Sequence, residues 1–385
     1  MIKASEFLNK CLEREFNFFT GTPCSYLKPL INYTIDHKEF NFIDATNEGD
    51  AVAIASGVTI AGGRSVVMFQ NSGLGNAVNP LTSLAYIFRV PLLLIVTHRG
   101  EPGGEKDEPQ HELMGTITTK MLETMQINWA HFPNQPDEIE KVLNTADDYL
   151  KRESKPFALV MSKKDVEVYT LQSSKEKQSF HSEFKQEEHF AVPYNQRHTR
   201  SEALKIVNKV TVKSAAIIAT TGYTGRELYE IEDRENQLYM VGSMGCALPL
   251  GFGMAITKPN LKIYVIDGDG ALLMRTGTMA TVGANQPENL IHILLDNEVH
   301  ESTGGQGTVS GGVSFSTIAR GFGYRHTFSS DKLEEFEDLL SSASSQDGPT
   351  FIHFKIKKGT SGNLGRPVIT PIQVKERLIQ YLNKY

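Results

Sequence analysis

Cysteine is scarce in this chain. Its 385 residues include three, Cys11, Cys24 and Cys246, an odd number at wide spacing. They build neither a disulfide framework nor a zinc-ligand pattern, so a reducing compartment is expected. They are also too scattered to hold an iron–sulfur cluster for electron transfer. Positive charge is not in excess: 39 Lys and Arg stand against 45 Asp and Glu, a net charge of −6. That excludes the basic footprint of a nucleic-acid binder. No apolar run approaches the ~20 residues of a membrane span. The N-terminal segment MIKASEFLNKCLEREF is amphipathic and carries acids, unlike a signal peptide. A cytoplasmic location is expected, with no nucleic-acid and no membrane partner. A G-x-G-x-x-G fingerprint after the first strand and a G-x-x-x-x-G-K loop are both missing, which argues against a nicotinamide dehydrogenase.

What is present is a globular balance of 40% apolar and 22% charged residues, at a length that suits two domains. Glycine is raised at 32, a sign of tight turns close to backbone or ligand. The chain also repeats itself once, at an offset of about 196 residues. EGDAVAIASGVTIAGGRSVVMFQNSG from Glu48 matches MGCALPLGFGMAITKPNLKIYVIDGDG from Met244 in its order of small-residue helix, turn, apolar strand and glycine turn. Each half continues with PLLLIVTHRG or LIHILLDNEVH and closes with a helix and a strand opened by proline. The strands are continuous apolar runs, the mark of parallel strands buried on both faces. Two doubly wound α/β domains are expected, over 1–165 and 201–385, joined by a polar linker over 166–200. Functional residues belong beyond the C-terminal ends of the strands.

The sharpest motif is YVIDGDG, a strand running into Gly268-Asp269-Gly270, with Asp296-Asn297 closing the next strand. GDG alone would equally be a plain strand–turn–helix. An acid and an amide after neighbouring parallel strands, with backbone carbonyls beside them, form an oxygen set of the kind Mg²⁺ prefers, a phosphate supplying the rest. Thr220-Thr221-Gly222 closes the strand SAAIIA before a helix, where backbone N–H groups suit a diphosphate. In the first half, Glu48 stands where the second strand meets a helix. An acid there also suits a helix's first turn without further function.

GDG followed at this distance by a strand-end Asn resembles the cofactor motif of thiamine diphosphate (ThDP) enzymes. The resemblance implies that Asp269, Asn297 and the carbonyl of Val299 bind Mg²⁺. It implies that Gly268, Gly270, Thr220, Thr221, Gly222 and the Ser243-Met244 segment line the cofactor. The first half becomes the pyrimidine-binding domain, the second the diphosphate-binding domain, with no central domain between them. Glu48 then hydrogen-bonds N1′ of the aminopyrimidine, so that the cofactor serves as its own general base. Asp296 and Val299 stand where the family often has Asn and Gly.

The reduced layout, with DEPQH from Asp107 and HESTGGQ from His300, resembles the branch that decarboxylates phosphonopyruvate or sulfopyruvate. It implies decarboxylation of 3-phosphonopyruvate to phosphonoacetaldehyde and CO₂, with sulfopyruvate or another 2-oxo acid as the alternative substrate. Gln110 and His111 would act on the reacting centre. Ser25, Asn71, Ser302 and Thr303, with Arg366 as a possible cation, are candidates for the substrate. A homodimer or homotetramer with sites between subunits is implied.

Overall fold

A computed structural model describes residues 1–173, 190–211, 214–360 and 364–385. The chain divides into two compact units, Met1–Lys177 and Gln178–Tyr385. The middle of the expected linker, 174–189, lies outside the described residues. Its two ends are not free. Val166 bridges to Ile2, and the Ser173 amide donates to Asp36 at 2.8 Å, so this end packs on the first unit. Val192 N donates to Asp331 at 2.6 Å, so the other end packs on the second.

The first unit is a six-stranded sheet built from β1 (Phe16–Gly21), β2 (Asn41–Asp44), β3 (Arg64–Phe69), β4 (Leu93–Thr97), β5 (Asn128–His131) and β6 (Phe157–Met161). Its order is β2-β1-β3-β4-β6-β5 and every pairing is parallel. The second unit has β7 (Ala215–Ala219), β8 (Gln237–Tyr239), β9 (Lys262–Gly268), β10 (Leu290–Asp296), β11 (Val299–His300), β12 (Gln306–Gly307), β13 (His326–Ser330) and β14 (Thr350–Lys355). Its main sheet runs β8-β7-β9-β10-β14-β13, the same topology strand for strand, with β11 and β12 forming a separate hairpin. The repeat in the sequence is therefore a repeat of fold.

The continuous apolar runs are central strands. Every residue of β4, β6, β7, β10 and β14 is buried, because helices cover both sheet faces. Two helices are apolar all round and correspondingly interior: Glu48–Ile60, and Ala247–Thr257, in which Ala247 to Ala255 are all buried. Cys11, Cys24 and Cys246 are buried, and none is in a disulfide among the described residues.

In each sheet the winding reverses at one point, between β1 and β3 and again between β7 and β9. Doubly wound sheets open a crevice at such a point, beyond the carboxyl ends of the strands. Thr22 and Gln70 lie there in the first unit. Thr220 and Asp269 lie there in the second.

Candidate active site

Glu48 is the first residue of its helix. Asn47 caps the turn, its side chain accepting from Gly49 N at 2.8 Å. The Glu48 carboxyl is held at both oxygens: Thr22 Oγ1, just beyond β1, donates to Oε1 at 3.0 Å, and Asn76 Nδ2 donates to Oε2 at 2.8 Å. Gly73 makes room for it. A Cβ at Gly73 would lie 2.6 Å from Glu48 Cδ, so only glycine lets the carboxyl sit where it does. A helix-start acid with no other role needs none of this. Neither Thr22 nor Asn76 was among the site residues expected from the sequence.

The segment after β4 forms a second cluster around Asp107. Its carboxylate accepts from Arg99 Nε at 2.6 Å, Gly100 N at 3.1 Å, Glu108 N at 2.8 Å and Tyr26 OH at 3.3 Å. These bonds, Arg99 above all, hold the Asp107 carboxyl far below the usual carboxylate range despite some burial. His111 is buried, with Nδ1 3.2 Å from Asp107 Oδ1. Nδ1 thus faces the Asp107 anion, and Nε2 lies 3.4 Å from Gln70 Nε2. Gln110 is exposed on the single turn Pro109–His111. Ser25 is exposed and accepts from Arg99 Nη1 at 3.2 Å.

Asn71 departs from its expected role. It is completely buried; Nδ2 donates to Arg99 O and to Thr118 Oγ1, both at 2.9 Å, and Oδ1 accepts from Arg99 N. Its donors are spent inside the unit, so it orients the Arg99 backbone and has none left for a ligand.

In the second unit, Gly268 pairs with Leu295 across β9 and β10, so Asp269 and Asn297 emerge from neighbouring strand ends. Asp269 is buried and accepts a hydrogen bond from Thr308 Oγ1. Among the described residues no Lys or Arg pairs with it. Burial, aided by the nearby Asp296 charge and opposed by Thr308, raises its pKa. Asn297 is equally buried. Its Nδ2 donates to Glu301 Oε2 at 3.1 Å, and among the described residues only the long 3.3 Å bond from Val299 N reaches its Oδ1. Glu301 is tied to Arg200, which also bonds Glu227 at 2.9 Å. This chain of charges fixes the amide's orientation and turns its oxygen away from Glu301.

Among the described residues no group of three or more His, Cys, Asp and Glu could hold a metal. What converges is one unpaired carboxylate, one amide oxygen and the Val299 backbone. That set fits Mg²⁺, which takes one or two carboxylates and completes its shell with phosphate and water. Asp296 does not join it. It is fully buried and accepts from His353 Nε2 at 2.9 Å, Ser310 Oγ at 2.9 Å and Lys355 Nζ at 2.7 Å.

Burial alone would raise the Asp296 carboxyl, but His353 and Lys355 win and lower its pKa to about 2. The unfolded value is about 3.9. The depressed folded value means that the ionised pair stabilises the fold above about pH 4 and ceases to do so as pH falls through about 2. Asp296→Ala leaves the buried Lys355 ammonium with Glu298 as its one remaining carboxylate among the described residues, at 2.9 Å. A loss of about 1–3 kcal/mol is expected, the scale of lost hydrogen bonds to a charged group, read as a lower urea midpoint at pH 7; no shift would mean that Glu298 alone satisfies Lys355.

Thr220, Thr221 and Gly222 close β7 and open the helix Tyr223–Ile231, with Gly222 at φ 94°. Ser302 lies beside them, its Oγ 3.5 Å from where a Gly222 Cβ would stand. Ser243 is buried at φ 50°. Met244 and His300 both lie over Gly270: a Cβ there would be 3.0 Å from Met244 Cε and 2.6 Å from His300 Cε1. Thr303 Oγ1 donates to His300 O at 3.3 Å and braces the hairpin turn. Arg366 is exposed. Sequence reasoning missed His300 as a site residue. Its signals were its place one residue beyond Val299 and at the head of HESTGGQ.

Two family models match. "Thiamine pyrophosphate enzyme, N-terminal TPP binding domain" covers residues 2–120, and "Thiamine pyrophosphate enzyme, C-terminal TPP binding domain" covers 220–354. A phosphonopyruvate decarboxylase of Streptomyces viridochromogenes is 41% identical over 93% of this chain and 89% of its own length. The chain belongs to the phosphonopyruvate decarboxylase family of thiamine pyrophosphate enzymes. A second phosphonopyruvate decarboxylase, of Streptomyces hygroscopicus, is 38% identical over 99% of this chain and 94% of its own. A sulfopyruvate decarboxylase of Methanosarcina acetivorans covers 94% of the chain and 92% of its own length at 26% identity. The matched segments fall one in each sheet unit, the first covering β1 to β4 and the second running from β8 into β14. Glu48 and the DEPQH segment fall within the first match, Asp269 and Asn297 within the second. No described helix is long and apolar enough to cross a membrane.

Proposed function

We propose that the chain decarboxylates 3-phosphonopyruvate to phosphonoacetaldehyde and CO₂, using ThDP and Mg²⁺. One observation carries this most: near full-length identity of 41% and 38% to phosphonopyruvate decarboxylases, in a chain that keeps Glu48, Asp269 and Asn297 at its strand ends. Bound ThDP supplies the nucleophilic carbon that adds to the 2-keto group and the electron sink that accepts the pair left by CO₂. The chain's residues do the rest. Glu48, clamped by Thr22 and Asn76, holds a hydrogen bond at N1′ of the aminopyrimidine. Asp269, Asn297 and the Val299 carbonyl hold Mg²⁺. Backbone N–H groups at Thr221 and Gly222 face the diphosphate at a helix start. Gly268, open where a Cβ would stand, would let the backbone approach it; Gly270 makes room for Met244 and His300, and Ser243 shapes the turn that would set Met244 beside the ring system. His111, oriented by Asp107, and Gln110 serve proton transfer at the reacting carbon. Ser25 and Ser302 offer hydroxyls to the substrate, and Thr303 holds the turn that carries Ser302.

The cofactor then spans the pyrimidine half of one subunit and the diphosphate half of another, so a homodimer or homotetramer is the working form, in the cytoplasm. Domain limits at 165 and 201 are proposed for the two halves.

The test is competition between phosphonopyruvate, sulfopyruvate and pyruvate, with the aldehyde followed through a coupled reductase. Each donor left unpaired by the wrong anion costs about 1–3 kcal/mol. A higher kcat/KM is expected for phosphonopyruvate than for sulfopyruvate, and a much higher one than for pyruvate. Equal or better use of sulfopyruvate would reassign the substrate and leave the cofactor chemistry standing. Preference for pyruvate would remove the anion-binding role of these loops.

A further inference from the structure

We infer that Arg99, with Ser25, is the residue pair that receives the anion at C3 of the substrate and so determines specificity for it; this rests on the decarboxylase reading above. Arg99 stands two residues beyond β4, at the end of the sheet where Thr22 and Glu48 also lie. Its backbone is clamped on both sides by the buried Asn71, whose Oδ1 accepts from Arg99 N at 3.3 Å and whose Nδ2 donates to Arg99 O at 2.9 Å. The next residue, Gly100, sits at φ 71° with its Cβ position 2.1 Å from His111 O, so no side chain fits there. Chain direction, and hence the start of the Arg99 side chain, is fixed.

The guanidinium is then aimed. Nε and Nη2 fork onto Asp107, the plane lies over the Tyr26 ring with 4.8 Å to the centroid, and Nη1 reaches the exposed Ser25 Oγ at 3.2 Å. Pairing with Asp107 raises the Arg99 pKa further, so the group is a permanent cation. A guanidinium has five N–H donors. Three have these partners, which leaves one hydrogen on Nη1 and one on Nη2. Ser25 accepts from Arg99, so its own O–H is free to point at the same oxygen. A permanent cation with two free N–H groups, next to an exposed hydroxyl, is the recognition chemistry of a phosphonate or sulfonate. Pyruvate's methyl group, which has no acceptor, cannot use it.

The test uses the full chain loaded with ThDP and Mg²⁺. Arg99→Met should lower the ratio of kcat/KM for phosphonopyruvate to that for pyruvate by at least about 30-fold, the scale of lost hydrogen bonds to a charged group. Arg99→Lys, which keeps the charge without the fork, should recover part of the ratio. Calorimetry with 3-phosphonopropionate, which keeps both anions and lacks the ketone, should show weaker binding by a similar factor in Arg99→Met. Ser25→Ala should lower the same ratio by a smaller factor, and it serves if Arg99→Met does not fold. An equal fall for both substrates, or unchanged 3-phosphonopropionate affinity, would make Arg99 a purely structural partner of Asp107 and overturn the inference. If the unmodified enzyme decarboxylates none of the three acids, the decarboxylase reading fails. Arg99-dependent binding of 3-phosphonopropionate would still support the anion site in that case, and its absence would sink both.

Discussion

Asp269→Ala is expected to abolish Mg²⁺-dependent ThDP binding: titration of the variant by calorimetry should give no saturable heat. The carboxylate is buried, and among the described residues no Lys or Arg pairs with it. A buried anion without a partner is costly unless a cation arrives. The diphosphate alone would aggravate that repulsion, and the metal alone would lack most of its shell. Binding of the two should therefore be mutual, each completing what the other needs. Because the variant removes a strained charge and breaks no ion pair, its thermal midpoint without ligand should not fall. Mg²⁺ and ThDP together should raise the midpoint of the unmodified chain and leave that of the variant unmoved. Tight ThDP binding that survives either the substitution or a chelator would refute the metal site at Asp269.

Glu48→Gln is expected to cost at least ~10²-fold in kcat, the usual scale for a proton-transfer group. The surroundings should tolerate the amide. Asn76 Nδ2 can donate only to an oxygen, whereas the Thr22 hydroxyl can also accept, so the new NH₂ turns to Thr22 and the oxygen stays on Asn76. Geometry and ThDP affinity should thus change little while turnover collapses. Gly73→Ala makes a second probe: its Cβ would press on the Glu48 side chain at 2.4–2.7 Å and should also depress kcat by displacing an intact carboxyl. A near-normal rate in Glu48→Gln would return Glu48 to the role of a helix-start acid.

The same two positions show how far a sequence can be read. Glu48 and Asp269 were legible because each follows a strand and opens a helix, and because the two halves could be laid on one another. Their partners were not. Thr22 reaches Glu48 because β1 lies beside both β2 and β3, and Asn76 reaches it across the turn at Gly73. Glu301 stood in the sequence as part of HESTGGQ, but its bond to Arg200, 101 residues earlier, is what orients Asn297. Asn71 was read as a donor to substrate. A strand-end asparagine looks the same whether its amide faces a crevice or the interior, and here Arg99, two residues beyond the neighbouring strand, and the helix residue Thr118 draw it inward.

By itself the sequence determined the class of the fold, its duplication, and the motif ends of β9, β10 and the Glu48 helix. Those features depend on periodicity, glycine and strand-end chemistry, which are local along the chain. Only the tertiary structure decided that Arg99 turns to Ser25, that Asp296 is sealed beneath His353 and Lys355, and that His300 lies over Gly270. These contacts arise from strand order and register, which bring together residues dozens of positions apart. Hydrogen-bond geometry then chooses among several equally polar side chains at each strand end, and no spacing within one segment encodes that choice.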